Sequence, residues 1–167
     1  MHLARDGEEL LLTADVQWRL PEIVSEALMQ GIPVHFVADM EIRRERWYWS
    51  DQILLRAQRF LRLSYQPLTR RWRLYMGSQP FEGKGLSLAL ASTYENLQDA
   101  LNAMQRLVRW RVGQISELPE QGPAVLLLRF RIDPSQFPRP LQIGALGRPD
   151  WNLLRVQQEQ ILLESLR

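Results

Sequence analysis

Arginine is concentrated in one stretch of the chain, between Glu41 and Met76. Nine arginines stand there against three acids, so the stretch carries a charge of +6 within a chain whose net charge is +2. A guanidinium can bind a carboxylate or a phosphate through two parallel hydrogen bonds. The concentration of arginine therefore predicts a surface on which an acidic partner docks.

The candidate partner-binding residues come from two segments of this stretch: Arg43, Arg46, Trp47, Trp49, Arg70, Arg71 and Arg73. Tryptophan adds a flat face on which a base, a lipid or a cation can stack. We favour a protein or an acidic lipid headgroup over single-stranded nucleic acid, because the basic charge is local and the whole chain lacks a large excess of it. The competing interpretation is structural: alternating arginines often solvate the outer face of a strand, and tryptophans of strands usually pack in a core.

Residue types that carry catalysis or bind metals are sparse. The chain has no cysteine and only two histidines, His2 and His35, which excludes a zinc site built on sulfur or on several imidazoles. His35 could pair with Asp39, on the same face of a predicted strand, as a carboxylate-assisted base. A surface or edge histidine is the favoured interpretation, and we predict no metal and no cofactor.

Carboxylates alone can support glycoside hydrolysis or bind a metal through oxygen. The candidate acids Glu8, Glu9, Asp133 and Asp150 are dispersed along the sequence, and neither a nucleophile elbow nor a phosphate-binding glycine loop is present. We therefore favour a non-catalytic binding domain. A hydrolase or carbohydrate-active domain that uses dispersed acids stays as the alternative.

Alternating apolar residues predict the strands that position these groups. Apolar side chains recur at every second residue from Val34 to Ile42, which is the period of a one-sided strand. A long strand from Ile53 to Tyr65 and a second from Trp72 to Met76 would form a hairpin. A helix from Asp51 to Arg62 is the alternative for the first of these.

The remaining segments predict two helices, three further strands and one segment that fits either type. Pro21 suits the start of a helix over about 21 to 30, and the capping-box pattern from Ser92 to Glu95 suits a second helix over about 94 to 108. Strands are predicted over 10–19, 86–90 and 125–132. The segment 151–167 fits either a strand or a helix, and the three prolines of 133–140 suit a wrap around a sheet edge.

These elements favour a mainly β (α+β) fold: an antiparallel β-sandwich of about seven strands with two helices packed on it. The length of 167 residues suits a single β-rich domain over 1–167. No apolar run approaches the roughly 20 residues that span a bilayer. We expect that a natural leader or anchor is absent from this chain.

Several short motifs together resemble a proteobacterial domain-of-unknown-function family, numbered 4390. They are, in order, Ile32-Pro33-Val34-His35-Phe36, Arg46-Trp47-Tyr48-Trp49, Arg62-Leu63-Ser64-Tyr65, Leu68-Thr69-Arg70, Trp72-Arg73-Leu74, Asp133-Pro134-Ser135-Gln136, Pro138-Arg139-Pro140-Leu141-Gln142 and Asp150-Trp151. Their order and spacing carry the resemblance over nearly the whole chain. Gln66-Pro67, where a more polar turn is expected, and a tail rich in Gln and Leu depart from the family pattern.

The resemblance implies a location and a partner but no activity. Members of this family typically begin with an export signal or a membrane anchor, which implies a domain in the periplasm or anchored to a membrane and facing the periplasm. Their genes often lie beside those of an NtrY-type sensor kinase and its NtrX-type regulator, which implies a link to two-component signalling and a membrane sensor kinase as the protein partner.

Overall fold

A computed structural model describes residues 1–45, 51–81, 90–137, 139 and 152–166. Nine strands and two helices lie within these ranges, in the chain order β1 (His2–Asp6), β2 (Glu9–Asp15), α1 (Glu22–Met29), β3 (Val34–Arg44), β4 (Gln52–Gln66), β5 (Arg71–Gly77), β6 (Leu90–Tyr94), α2 (Leu97–Gln105), β7 (Arg106–Gln114), β8 (Pro123–Asp133) and β9 (Leu153–Leu162). The prediction of a mainly β protein is confirmed.

The strands form two antiparallel sheets. The small sheet has the order β1-β2-β7, and the large sheet has the order β6-β5-β4-β3-β8-β9. Strand β3 lies at the centre of the large sheet, where β4 pairs with it on one side and β8 on the other. This placement brings β8 beside β3, although some 80 residues separate them in the chain.

One hydrophobic cluster takes side chains from both sheets and both helices. Alternate residues of β3, from Val34 through Phe36, Ala38 and Met40 to Ile42, are fully buried on the face that meets the small sheet. The rings of Trp18, Phe36 and Phe130 pack against one another within this cluster, with centroids 5.0 to 6.2 Å apart. The opposite face of the large sheet, called the outer face below, carries the other residues of each strand.

The strand prediction for 53–65 is confirmed, because β4 is one continuous strand and no helix forms over 51–62. Its predicted hairpin with β5 is present, and in it Leu63 lies opposite Leu74 and Tyr65 opposite Trp72. The ambiguous tail forms strand β9 over Leu153–Leu162 and then one 3-10 turn over Leu163–Leu166.

The predictions for the second helix and for the number of strands were wrong in part. The second helix ends at Gln105 instead of 108, and it begins after Asn96, whose side chain accepts a hydrogen bond from the Asp99 amide at 2.8 Å. The predicted capping box at 92–95 lies mostly in strand β6. Strands β1 and β7 were not predicted, which accounts for nine strands in place of about seven.

Some predicted features lie outside the described residues. Most of the predicted strand over 86–90 and most of the proline-containing segment after Phe137 belong to this group. Within the described ranges, no helix combines the length and the apolar character needed to cross a membrane.

Candidate functional site

The outer face of the large sheet carries a cluster of charged side chains from three adjacent strands. Strand β3 contributes two acids, β4 an arginine and a glutamine, and β8 two arginines, while a fourth arginine comes from the end of β3. We call this group the outer-face cluster: Asp39, Glu41, Arg43, Arg56, Gln58, Arg129 and Arg131. The two acids at its centre are unusual, because both are buried even though they lie on the face away from the hydrophobic cluster.

Glu41 holds three of the arginines. Arg43 Nε donates to Glu41 Oε2 at 2.6 Å, and Arg129 Nη2 donates to Glu41 Oε1 at 2.9 Å. Arg56 Nε lies 3.6 Å from the same Oε1. Since the Glu41 side chain is only 3% exposed, these guanidinium groups replace the water that would otherwise solvate its charge.

Asp39 holds the remaining arginine and shares Arg56. Its Oδ1 accepts from Gln58 Nε2 at 2.7 Å and from Arg56 Nη2 at 3.2 Å, and its Oδ2 accepts from Arg131 Nε at 3.4 Å. Burial alone would raise the pKa of Asp39, but the hydrogen bonds from Gln58 and Arg56 and the charges of Arg56 and Arg131 lower it below its ordinary value. Asp39 is therefore a carboxylate at neutral pH.

Among the described contacts, the cluster leaves hydrogen-bond donors available for a ligand. Each guanidinium has five N–H donors, and the contacts with Asp39 and Glu41 occupy one or two of them per arginine. The four arginines and two acids sum to +2, and the arginine side chains are between 27% and 51% exposed. The buried acids thus fix four guanidinium groups at the surface, and the group as a whole attracts an anion.

Apolar side chains flank the cluster on the outer face, near the C-terminal end of β3 and on the edge strand β9. Ile53 and Val156 are almost half exposed, while Val125 and Leu127 are partly buried on the same face. A groove lined by Glu45, Pro123, Ala124, Val125 and Gln160 lies at this end. The outer face therefore offers apolar contacts directly beside its charged centre.

At the opposite end of β3, His35 lies in a small pocket on the outer face. Its ring packs 6.2 Å from the ring of Phe81, and Asp133 lies across from it on β8. The buried Nδ1 has no hydrogen-bond partner among the described residues. Burial and the nearby charge of Arg62 lower the pKa of His35, and Asp133 opposes this shift only in part.

We expect the stability of the protein to fall as the pH drops below about 6.5, the ordinary pKa of histidine. His35 takes up its proton more readily in the unfolded chain than in the folded one, because its folded pKa is lowered, so acid favours unfolding from that pH down to the folded pKa. The free energy of urea unfolding, measured between pH 7.5 and 5.5, checks this. Replacing His35 with glutamine should flatten the curve and His2→Gln should not; equal slopes in all three proteins would contradict the assignment.

The structure separates the predicted site residues into two groups. Arg43 belongs to the outer-face cluster, whereas Arg70, Arg71 and Arg73 lie in the β4–β5 hairpin at the far end of β4. Arg43 pairs with Ile53 and Arg73 with Ser64, which lies eleven residues further along β4, about 36 Å away at roughly 3.3 Å per residue. Arg46, Trp47 and Trp49 lie outside the described residues.

The hairpin arginines have weaker surroundings than the cluster. Arg70 is exposed in the turn with a positive φ of 53°, and Arg71 lies 3.9 Å from the exposed carboxylate of Glu95. Arg73 donates to the hydroxyl of Tyr75 at 3.3 Å. No buried acid holds any of these three among the described contacts.

Sequence reasoning missed the central members of the cluster: Asp39, Glu41, Arg56, Arg129 and Arg131. The available signal was the alternation of Asp39 with Glu41 on one predicted strand and of Arg129 with Arg131 on another. Opposite charges with the same period of two favour pairing on adjacent strands. The sequence does not show which strands are adjacent, and the site forms only because β4 and β8 both lie beside β3.

The other predicted candidates do not form a common site in the described part of the chain. Asp39 contacts Gln58 and arginines rather than His35. Glu8 pairs with Arg5, Glu9 with Arg111, and Asp133 caps the turn at Ser135, while Asp150 lies outside the described residues. Among the described residues, no group of three or more His, Asp or Glu side chains could hold a metal ion.

Residues 1–160 match one protein family, described as Domain of unknown function (DUF4390). Neither the curated proteins nor the solved structures include a match to this chain.

Proposed function

The chain belongs to the DUF4390 family, whose description names no activity, and we propose that it is a non-catalytic binding domain for an acidic segment of a partner protein. The binding site in this proposal is the outer-face cluster with its apolar flank. The observation that carries it is the pair of buried acids, Asp39 and Glu41, which hold four arginines in place at an open surface.

Fixed arginines favour binding because less side-chain freedom is lost when a ligand arrives. A long exposed side chain costs about 0.5–1.5 kcal/mol to immobilise at an interface. In the cluster, the contacts with Asp39 and Glu41 already restrict the arginine side chains before a ligand binds, so less of this cost remains. A carboxylate of the partner can then accept from donors that are held in position, which favours this site over the hairpin arginines.

Two features favour a protein segment over a nucleic acid. The apolar side chains of Ile53 and Val156 lie beside the cluster and suit aliphatic residues of a peptide. The three tryptophans that the structure describes, Trp18, Trp72 and Trp110, are buried and offer no stacking face for bases. We therefore propose a partner segment in which acidic and aliphatic residues alternate or lie close together.

The acids of the cluster do not favour the hydrolase alternative. A glycosidase needs one carboxyl group that keeps its proton near neutral pH. Asp39 has a lowered pKa, and Glu41 contacts three guanidinium groups. Their arrangement supports fixed negative charges that position arginines.

The location and the identity of the partner in this proposal rest on the family resemblance alone. That resemblance supports an exported domain, in the periplasm or anchored to face it, that acts beside a membrane sensor kinase of a two-component system. An acidic segment in the periplasmic part of such a kinase is the partner that we propose to look for first.

The test is capture of partners from an envelope extract, followed by mass spectrometry. The informative variant is Arg129→Gln/Arg131→Gln, because Glu41 keeps Arg43 and Arg56 and Asp39 keeps Arg56 and Gln58. Its matched control is Arg70→Gln/Arg71→Gln, which removes the same charge at the far hairpin. We expect the cluster variant to capture at least about tenfold less of the partner, since a hydrogen bond to a charged group contributes about 1.5–3 kcal/mol.

Full capture by the cluster variant would remove the outer-face cluster from the proposal. Loss of capture in the hairpin variant alone would move the site to Arg70 and Arg71. Circular dichroism of each variant shows whether a loss reflects unfolding, and a rise in salt should weaken genuine capture through charge.

A further inference from the structure

Strand β9 lies at the edge of the large sheet. Within the described ranges it pairs only with β8, so its other side presents backbone N–H and C=O groups of a ten-residue strand. Native proteins usually protect such an edge with proline, lysine, a short strand or a bulge in its middle. Strand β9 has no proline and no lysine, and its register shift lies near its beginning, opposite Phe130 and Arg131.

The two charged residues of β9 have opposite signs and lie symmetrically about Gln157. Arg155 precedes Gln157 by two residues and Glu159 follows it by two, and both side chains are exposed. All three lie on the same face of the sheet, because they pair with Phe130, Leu128 and Leu126 of β8. A single charge on an edge strand deters pairing, but this arrangement is complementary to a copy of itself that runs in the opposite direction.

We propose that β9 pairs antiparallel with β9 of a second copy of this chain, with Gln157 opposite Gln157 of that copy. In this register Arg155 lies opposite Glu159 of the second copy, and the same contact repeats on the other side of the two-fold axis. Val156 then lies opposite Gln158. Centring the pair on Arg155 or Glu159 instead would bring like charges face to face, so charge selects the register.

The axis of this dimer is perpendicular to the large sheet. The two large sheets join into one sheet of twelve strands, and the outer faces of both copies lie on the same side. Each outer-face cluster stays exposed, because the contact uses only the free edge of β9. The dimer would therefore present two arginine clusters to a partner, but its formation does not depend on what those clusters bind.

The contact is small, since it consists mainly of one strand from each copy. Interfaces that bury less than about 1,200 Å² in total are typical of weak complexes. We therefore expect a dimer with a Kd in the micromolar range, seen only when the protein concentration is raised.

Sedimentation equilibrium from micromolar to millimolar concentration tests the pairing by charge reversal. Wild-type protein should approach the dimer mass as its concentration rises. Arg155→Glu alone and Glu159→Arg alone place like charges opposite each other, and both should remain monomers at concentrations where the wild type is dimeric. The double variant Arg155→Glu/Glu159→Arg restores opposite charges and should recover the dimer, as should an equal mixture of the two single variants.

The double variant also separates this proposal from a local role of Glu159. Glu159 lies 3.9 Å from the amine of Met1, and a loss of dimer through that contact would not be rescued by changing Arg155. A wild-type protein that stays monomeric at every concentration would overturn the proposal. So would single variants that dimerise as well as the wild type, or a double variant that does not recover.

A cysteine pair checks the register, because the chain has no cysteine of its own. Residues directly opposite each other on antiparallel strands have Cα atoms about 4.5–5.5 Å apart, within the range that a disulfide spans. Under mild oxidation, a mixture of Val156→Cys and Gln158→Cys proteins should form a cross-linked heterodimer. Cross-linking of either variant with itself to the same extent would contradict a centre at Gln157.

Discussion

Replacing Phe130 with alanine is expected to lower the free energy of unfolding by about 3–5 kcal/mol, the largest effect of any single change considered for this protein. The Phe130 side chain is fully buried, and its ring lies 5.0 Å from Trp18 and 6.2 Å from Phe36. Alanine removes these contacts and leaves a cavity that surrounding rings can fill only in part. Domains of this size have about 5–15 kcal/mol of stability in total, so the loss is a large fraction of it.

Urea unfolding followed by tryptophan fluorescence measures this loss. The matched control is Leu127→Ala on the same strand, where a partly buried side chain on the outer face should cost only about 1 kcal/mol. The effect also bears on the binding site, because Phe130 stands between Arg129 and Arg131 in β8. Equal losses from the two alanine variants would show that the face of β8 assigned to the core is wrong.

Replacing Glu41 with glutamine is expected to have the second large effect and to lower the free energy of unfolding by about 2–3 kcal/mol. Glutamine has nearly the same shape, but it carries no charge, and its amide group presents donors to guanidinium groups that are themselves donors. Breaking a buried ion pair typically costs about 3–5 kcal/mol. The cost here is lower, because the three arginines around Glu41 are 27% to 51% exposed and water can solvate them.

Arg129→Gln is the matched control for Glu41→Gln, because it removes one of the arginines that contact Glu41 and leaves the acid in place. Its loss should be about 1 kcal/mol or less, because Glu41 keeps Arg43 and Arg56 as partners. Denaturant unfolding of both variants at low salt gives the two values. If Arg129→Gln costs as much as Glu41→Gln, the acid is not the shared centre of the cluster and each arginine acts separately.

Alternation within a strand was readable from the sequence, because a half-buried strand repeats every two residues. The alternate residues of β3 predicted to face the core, from Val34 to Ile42, are all buried, although Val37, Asp39 and Glu41 on the outer face are buried as well. The β4–β5 hairpin was predicted for the same reason, with a short turn that fixes its register. These are local features, and the amino-acid pattern specifies them without knowledge of the rest of the chain.

Strand β7 was missed because a bulge changes its period. Leu12 and Ala14 of β2 pair with Trp110 and Leu107, so two residues of β7, Val108 and Arg109, lie opposite Thr13 alone. Arg109 has a positive φ of 45°, in keeping with this local distortion. The bulge places the buried Leu107 and Trp110 three residues apart, which continues the helical spacing that begins in α2.

The boundary of α2 was misplaced for a related reason. Two capping patterns occur four residues apart, Ser92 with Glu95 and Asn96 with Asp99, and the structure uses the second. The residues of the first pattern pair with β5 instead, where Thr93 lies opposite Arg73. Strand pairing with a distant segment overrides a local preference for a helix start.

The outer-face cluster could not be assembled from sequence, because its members meet only through long-range pairing. Arg129 and Glu41 are 88 residues apart, and Arg131 and Asp39 are 92 apart. The density of arginine between residues 41 and 76 predicts a site made of residues that are close in sequence. The hairpin arginines of that stretch lie far from the cluster. The order of strands in the sheet decides which charges meet.

We propose that the fixed arginines of the outer face bind an acidic segment. Nuclear magnetic resonance of the arginine Nε–H groups tests it most directly, during titration with a synthetic peptide in which glutamate alternates with valine. We predict that the signals of Arg43, Arg56, Arg129 and Arg131 shift in a saturable way, while those of Arg70, Arg71 and Arg73 do not. Shifts confined to the hairpin arginines, or no shift in the four cluster arginines, would contradict the claim.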